Sequence, residues 1–316
     1  MNEVHRLSRR RFLTAAGLTA AAVWLNPRGL FAQETGVVTM TRESGATAKI
    51  NIQKLRGSVS MLEGSGGNIA VLTGRDGKLL VESGVAASRP RITEALGSLG
   101  ADPVKHVVNT HWHFDHTDGN EWLQSEGAEI IAHENTLKRM ATTTRVEDWN
   151  FTFPPSPKGA LPTQVFADEK TLRLNGTSVA LKYYGPCHTD TDISVHFTDA
   201  DVFCFGDTWW NGHYPFIDYS TGGSIDGTIR AAAANVARVS DKTLVIPGHG
   251  PVGGKAELTE FHDMLVAVRE KVSGLKKAGR SLEEVVAVKP TAEYDAKWGG
   301  LFINGKTFTA LVYAGV

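Results

Sequence analysis

The stretch VVNTHWHFDHTDGN, residues 107 to 120, places His111, His113, Asp115 and His116 within six positions at the end of an apolar run. Imidazole and carboxylate are the common protein ligands of transition metals, whereas an ordinary polar loop has no cause to repeat histidine three times in so short a span. In an extended chain alternate side chains share a face. His111 and His113 are therefore expected to point together, with Cα atoms about 7 Å apart and both rings within reach of one ion. Asp115 and His116 fall beyond the expected strand end, where a turn through Asp118, Gly119 and Asn120 can aim them at a second ion.

Two ions need more ligands than this stretch holds, and the second half of the chain offers them in matching contexts. YYGPCHTD presents His188, VFCFGDTWW presents Asp207 and LVIPGHG presents His249. Each follows a β-rich run, as the first cluster does. Strand ends converging on one edge of a pair of sheets would bring these residues together.

The pattern around the clusters supplies such sheets. SVSMLEG, NIAVLTG and KLLVESG are short β-rich runs, with a hairpin turn at Arg75, Asp76 and Gly77. Pro90 opens a helix with Ile92, Leu96 and Leu99 on one face, ended by Gly100. HVVNT then reads as a strand delivering the histidine cluster, followed by a short helix and the strand EIIAH. Residues 148 to 166 carry Pro154, Pro155, Pro157 and Pro162 and read as a linker between halves. The strand-first pattern then restarts with a hairpin about Asn175 and Gly176. A helix with Ile229, Ala233, Val236 and Val239 on one side precedes the strand TLVIP. Leu258, Phe261, Leu265, Val268, Val272 and Leu275 form one stripe on a last long helix. Each half thus offers a sheet and covering helices, and the simplest assembly is an α/β four-layer sandwich with helices outside. The tail VVAVKPTAEYDAKWGGLFINGKTF is expected to dock on the body or on a second subunit; composition leaves the oligomeric state open.

Over its 316 residues the chain is 41% hydrophobic, enough for one large domain or two fused halves. Residues 1 to 32 hold five arginines and one glutamate. Of the 33 basic and 34 acidic residues, the remainder keeps 28 and 33, a net of −5 that argues against a nucleic-acid partner. SRRRFL, residues 8 to 13, precedes an alanine-rich apolar run from Phe12 to Leu25 that is short for a permanent membrane span, and so resembles a twin-arginine export signal. Residues 1 to 32 are expected to engage the twin-arginine export machinery and to be removed after about Ala32, leaving residues 33 to 316 as a single domain in a bacterial periplasm or outside the cell. An uncleaved N-terminal anchor is the alternative. Cys187 and Cys204 form neither a disulfide framework nor a four-cysteine zinc site; Cys204 reads as a buried small hydrophobe.

The combined pattern His-x-His-x-Asp-His at 111 to 116, with His188, Asp207 and His249, resembles the metallo-β-lactamase superfamily over about residues 57 to 250. The resemblance implies an αβ/βα sandwich in which His111, His113 and His188 hold one metal, Asp115, His116 and His249 the other, and Asp207 bridges them. It implies two Zn2+ per chain and a bridging hydroxide that cleaves an ester, lactone, thioester or amide of a small molecule, with Asp115 orienting the hydroxide and moving a proton. Lactamases of the commonest subclass carry a cysteine in place of Asp207 and a lysine three residues later, where this chain has Trp210. An aspartate bridge is closer to glyoxalase II and the acyl-homoserine lactonases. The alternatives are a genuine β-lactamase, with Arg230 or a lysine elsewhere gripping a carboxylate, and a mononuclear Fe2+ dioxygenase of the persulfide type. The aromatic stretch TWWNGHYPFIDYSTGG nominates Trp209, Trp210, His213, Tyr214 and Phe216 as a substrate wall, with packing beneath the loop as the alternative for some of these rings.

Overall fold

The computed structural model describes residues 36 to 316; the export signal read over residues 1 to 32 lies outside the described residues. The first sheet is built from β1 (Asn51–Lys54), β2 (Val59–Glu63), β3 (Ile69–Leu72), β4 (Lys78–Val81), β5 (Val104–Val108) and β6 (Glu129–His133). After the small hairpin β7 (Thr144–Val146) and β8 (Phe151–Phe153), it is completed by β9 (Gln164–Phe166). The second sheet holds β10 (Glu169–Leu174), β11 (Thr177–Tyr183), β12 (Ile193–Phe197), β13 (Val202–Cys204) and β14 (Leu244–Ile246), in that order.

Period-two alternation sorts the apolar side chains into layers. In the first sheet Val59, Met61, Ala70, Leu72, Leu79, Val81, Val108 and Ile131 face the second sheet. They meet Val179, Leu181, Val195, Phe197, Cys204 and Ile246 there. The intervening residues Leu62, Val71, Leu80, Val107 and Ile130 face outward and are covered by Ile92, Leu96, Trp122 and Leu123 from the flanking helices. Because strands of this sheet are buried on both faces, their sequences read as nearly unbroken apolar runs. On the far side Phe203, Phe205 and Val245 pack under helices Ile225–Arg238 and Lys255–Lys277. The result is the four-layer αβ/βα sandwich.

The tail docks on its own body: Trp298, Phe308, Leu311 and Val312 join the same cluster as the long helix. Among the described residues no helix is long and apolar enough to cross a membrane.

Three local expectations are corrected. β5 ends at Val108, so His111 and His113 lie in the following loop and not on an extended strand. The segment 148 to 166 is more than a linker. Phe151–Phe153 pairs with β7, and Gln164–Phe166 adds in parallel to β6 as the sheet edge, because its prolines fall between the paired residues. In helix Ile225–Arg238 the buried face runs through Ile225, Thr228, Ala231, Ala232 and Asn235, while Ala233 is exposed. Polar Asn235 is drawn inward because its amide donates to Thr208 Oγ1 at 3.0 Å and its oxygen accepts from the Tyr184 hydroxyl.

Candidate metal centre

β4, β5 and β6 run parallel, as do β13 and β14, and the loops leaving β5, β13 and β14 carry His111 to His116, Asp207 and His249 to one edge of the sandwich. His188 arrives from the loop between β11 and β12. Buried Trp112 turns into the core, where its indole N–H donates to Thr221 Oγ1 at 3.2 Å. Its neighbours His111 and His113 stand together with ring centroids 4.8 Å apart, as expected, although the chain carrying them is looped. His113 immediately precedes the one-turn helix Phe114–Thr117, which carries Asp115 and His116.

The seven residues fall into two groups joined by one carboxylate. His111, His113, His188 and Asp207 bring ligand atoms within 4.8 Å of one another, as do Asp115, His116 and His249. Asp207 Oδ2 lies 3.8 Å from His111 Nε2 and 3.5 Å from His188 Nε2. Its Oδ1 lies 3.3 Å from His116 Nε2 and 3.5 Å from His249 Nε2. Each oxygen therefore addresses one group. The close approach depends on glycine: a Cβ on Gly248 would stand 1.9 Å from Asp207 Oδ1, and one on Gly67 would stand 2.1 Å from the His116 ring.

The donor chemistry fits a cation. His113 Nε2 donates to Asp218 Oδ2 at 3.0 Å and His188 Nδ1 donates to the Phe216 carbonyl at 2.8 Å. With those protons committed, His113 Nδ1 and His188 Nε2 turn bare lone pairs toward each other at 3.0 Å. His111 Nε2, both His116 nitrogens and Asp207 Oδ1 are buried without a hydrogen-bond partner. Buried polar atoms left in this way are strongly disfavoured unless an ion or a water satisfies them, and here they cluster with other metal-ligating groups.

Charge divides the two groups. Burial and the neighbouring imidazoles hold His111 well below the ordinary histidine value, against the pull of Asp207, and burial also lowers His188. At His116 burial is outweighed by Asp115, Asp207 and Glu82, which raise it well above that value; His249 is pushed up to about 9 by Asp207 and Asp115 in the same way. Burial works against the charge on Asp115 and Asp207, yet their histidine neighbours keep both carboxyls well below the usual range.

Two supporting carboxylates escape a reading for ligands. Glu82 follows fully buried β4 in the left-handed region, φ 75°. It accepts from the Thr110 backbone N–H at 3.2 Å and from the Thr110 hydroxyl, and stands 3.3 Å from His116 Nδ1. A strained non-glycine backbone of this kind persists only where its surroundings over-determine it. The sequence signal was an acid closing the apolar run KLLV. Asp218 is held by Ser220 N–H, Thr221 N–H and the Thr221 hydroxyl at 3.0, 3.2 and 2.5 Å, and so presents a fixed oxygen to His113. Asp218→Ala is expected to lower metal affinity by about 10- to 100-fold, measured by competition with a chromophoric chelator.

The aromatic loop divides. Trp209 and Tyr214 are fully buried and belong to the core, a correction to their reading as substrate wall. Tyr214 stacks on Phe308 at 4.6 Å and donates to Asp295 Oδ1 at 2.9 Å, so the docked tail decides its place. Trp210 packs on the His249 ring at 4.2 Å, and both Trp210 and Phe216 line the cavity over the ligands. Half-buried His213 lies against Gly250 and is not among the residues lining that cavity. Arg230 donates to the Pro186 carbonyl and is likewise absent from the lining.

The family model described as Metallo-beta-lactamase superfamily matches residues 62–249. Over 158 residues the chain is 28% identical to a hydroxyacylglutathione hydrolase of Polaromonas sp. (strain JS666), covering 49% of this chain and 52% of that protein. It is 27% identical over 112 residues to the 2,4-dinitroanisole O-demethylase subunit alpha of Nocardioides sp. (strain JS1661), covering 35% and 30%. The chain thus spans about half the length of these curated relatives or less. Among solved structures, a double mutant of the sec-alkyl sulfatase PisA1 superposes with TM-score 0.65 at 14% identity, covering 90% of this chain and 52% of that one. A metallo-beta-lactamase from Pontibacter korlensis superposes with TM-score 0.55 at 19% identity, covering 69% and 99%. At these identities the likeness is one of fold.

Proposed function

The chain belongs to the metallo-β-lactamase superfamily, and from that premise we propose that it is a dinuclear zinc hydrolase cleaving an ester, lactone, thioester or amide of a small molecule. The observation that carries the reading is Asp207, which turns one oxygen to each of two histidine-rich groups. His111, His113 and His188 would hold one ion, Asp115, His116 and His249 the other, and Asp207 would be shared. Zinc supplies Lewis acidity and lowers the pKa of coordinated water toward neutrality.

The chain's own groups supply the rest. Asp218 and the Phe216 carbonyl fix the proton positions on His113 and His188, so the coordinating nitrogens stay bare. Asp115 lines the cavity with its carboxylate 3.4 Å from both His116 Nε2 and His249 Nε2, placed to orient the attacking water and carry its proton to the leaving group. Packed at a tilt against His249, Trp210 keeps bulk water from that side.

A panel of one β-lactam, one lactone, one thioester and one phosphodiester, run with metal analysis of the purified protein, tests the reading. About two zinc ions per chain and turnover of a carbonyl substrate are expected. One iron per chain without hydrolysis would overturn it in favour of the iron dioxygenase, and turnover confined to the β-lactam would make the protein a lactamase.

We also propose that residues 1 to 32 direct twin-arginine export, which carries folded proteins and so allows metal loading before transport. Replacing Arg9 and Arg10 by lysine is expected to leave the protein in the cytoplasm; undiminished periplasmic recovery on cell fractionation would count against export by this route.

A further inference from the structure

The cavity over the ligands has a volume of about 260 Å3, and part of its wall is contributed by segments outside residues 62–249. Its floor holds His113, Asp115, Asp207 and His249. Trp149 stacks on Phe216 at 4.9 Å in its wall, which also takes in Trp210, residues of helix Val37–Gly45 and the tail loop Leu301, Phe302 and Ile303. Among the described residues neither lysine nor arginine lines it. Arg42, on the wall helix, is engaged by Asp118 through two hydrogen bonds of 2.6 and 2.8 Å.

The tail loop is anchored on both sides of an exposed apolar pair. Trp298 is buried and its carbonyl accepts from Tyr214 N–H at 2.8 Å; Ile303 is buried, and the Asn304 side chain caps helix Gly305–Gly315 by accepting from Thr307 N–H at 3.0 Å. Between these anchors Leu301 and Phe302 remain 39% and 50% exposed. Two adjacent large apolar side chains held at the mouth of a cavity leave surface that an apolar ligand would cover favourably.

We propose that this wall selects substrates bearing an uncharged apolar acyl arm, laid from the carbonyl over Trp149 and Phe216 toward Leu301 and Phe302; the assignment rests on the hydrolase reading above. A carboxylate laid along Trp149 and Phe216 would lose hydration with no lysine or arginine beside it to replace it. At about 30 Å3 per water-sized group, the cavity accommodates an arm of about eight heavy atoms.

The test uses the zinc-loaded full chain and p-nitrophenyl esters of unbranched acids from acetyl to octanoyl, with the ω-carboxyl derivative of the hexanoyl ester. Each added methylene is expected to raise kcat/KM by about fourfold until the arm fills the cavity, and the ω-carboxyl ester to fall at least ~100-fold below its parent. Leu301→Ser and Phe302→Ser should each shrink the octanoyl-to-acetyl ratio, by about tenfold or more in the double variant. Binding of butan-1-ol to octan-1-ol, followed by tryptophan fluorescence, reads the wall without turnover. Hydrolysis with a flat chain-length profile, or with the ω-carboxyl ester preferred, overturns the assignment and leaves the hydrolase reading intact. Absent hydrolysis of these esters and of the carbonyl panel above, with alkanol affinity that rises with length and weakens in Phe302→Ser, supports the apolar wall and removes the hydrolase reading. No hydrolysis of either set and no alkanol binding overturns both.

Discussion

On the proposed dinuclear reading, Asp207→Asn is expected to lower kcat/KM on a carbonyl substrate on the order of 10⁴-fold, the loss typical of a residue acting as part of a catalytic unit, and to reduce bound zinc from about two ions per chain to about one. Asp207 Oδ2 faces His111 and His188 while Oδ1 faces His116 and His249. Asparagine keeps the shape beneath Gly248 but replaces one oxygen with an amide NH2, which repels a cation and donates where an acceptor is required. Whichever way the amide turns, one group loses its shared ligand. The buried Asp207 charge also offsets the raised protonation of His116 and His249, so the metal-free variant should unfold at lower temperature than the metal-free parent. Elemental analysis, kinetics with a confirmed substrate and circular dichroism together check this. Two zinc ions and near-normal turnover in the variant would remove Asp207 from the centre.

How much of this was legible without coordinates depended on how local each signal is. The candidate ligands could be nominated because metal binding restricts residue type to a few side chains, and four of the seven sit within six positions. Their pairing survived even though β5 stops at Val108 and the alternation argument for His111 and His113 applied to a strand that is not there. The strands were legible because burial on both faces leaves runs such as IAVL purely apolar. Less local features were not legible. Glu82 and Asp218 act through Thr110, His116 and His113, partners whose proximity depends on the loops around the sheet edge. Trp209 and Tyr214 could not be told from Trp210 and Phe216 by composition, since core and cavity both accept aromatic rings. The difference lies in the tail residues Trp298 and Phe308, about ninety positions away, which claim Tyr214 for the core. Leu301 and Phe302 escaped notice for the same reason: only the docked tail brings them to the cavity.

Asp115→Asn is the sharper test of chemistry as distinct from assembly. Asp207 joins both groups, whereas Asp115 belongs to one of them and also lines the cavity. Its Oδ2 lies 3.4 Å from His116 Nε2 and 3.4 Å from His249 Nε2, so an asparagine oxygen in the same place still offers that group a ligand. What asparagine lacks is a charge and a basic oxygen to receive a proton from the attacking water and deliver it to the leaving group. The expected outcome is a fall in kcat of about 10²- to 10⁴-fold, with KM altered far less because ground-state contacts with the substrate are retained. Bound zinc should fall far less than turnover does, and the far-ultraviolet circular dichroism should match the parent. His113→Ala serves as the contrast. It removes a lone pair that Asp218 orients from the far side of the ring, so activity and metal content should fall together. If Asp115→Asn instead keeps near-normal kcat with full zinc occupancy, the proton passes through another group and Asp115 is a ligand only.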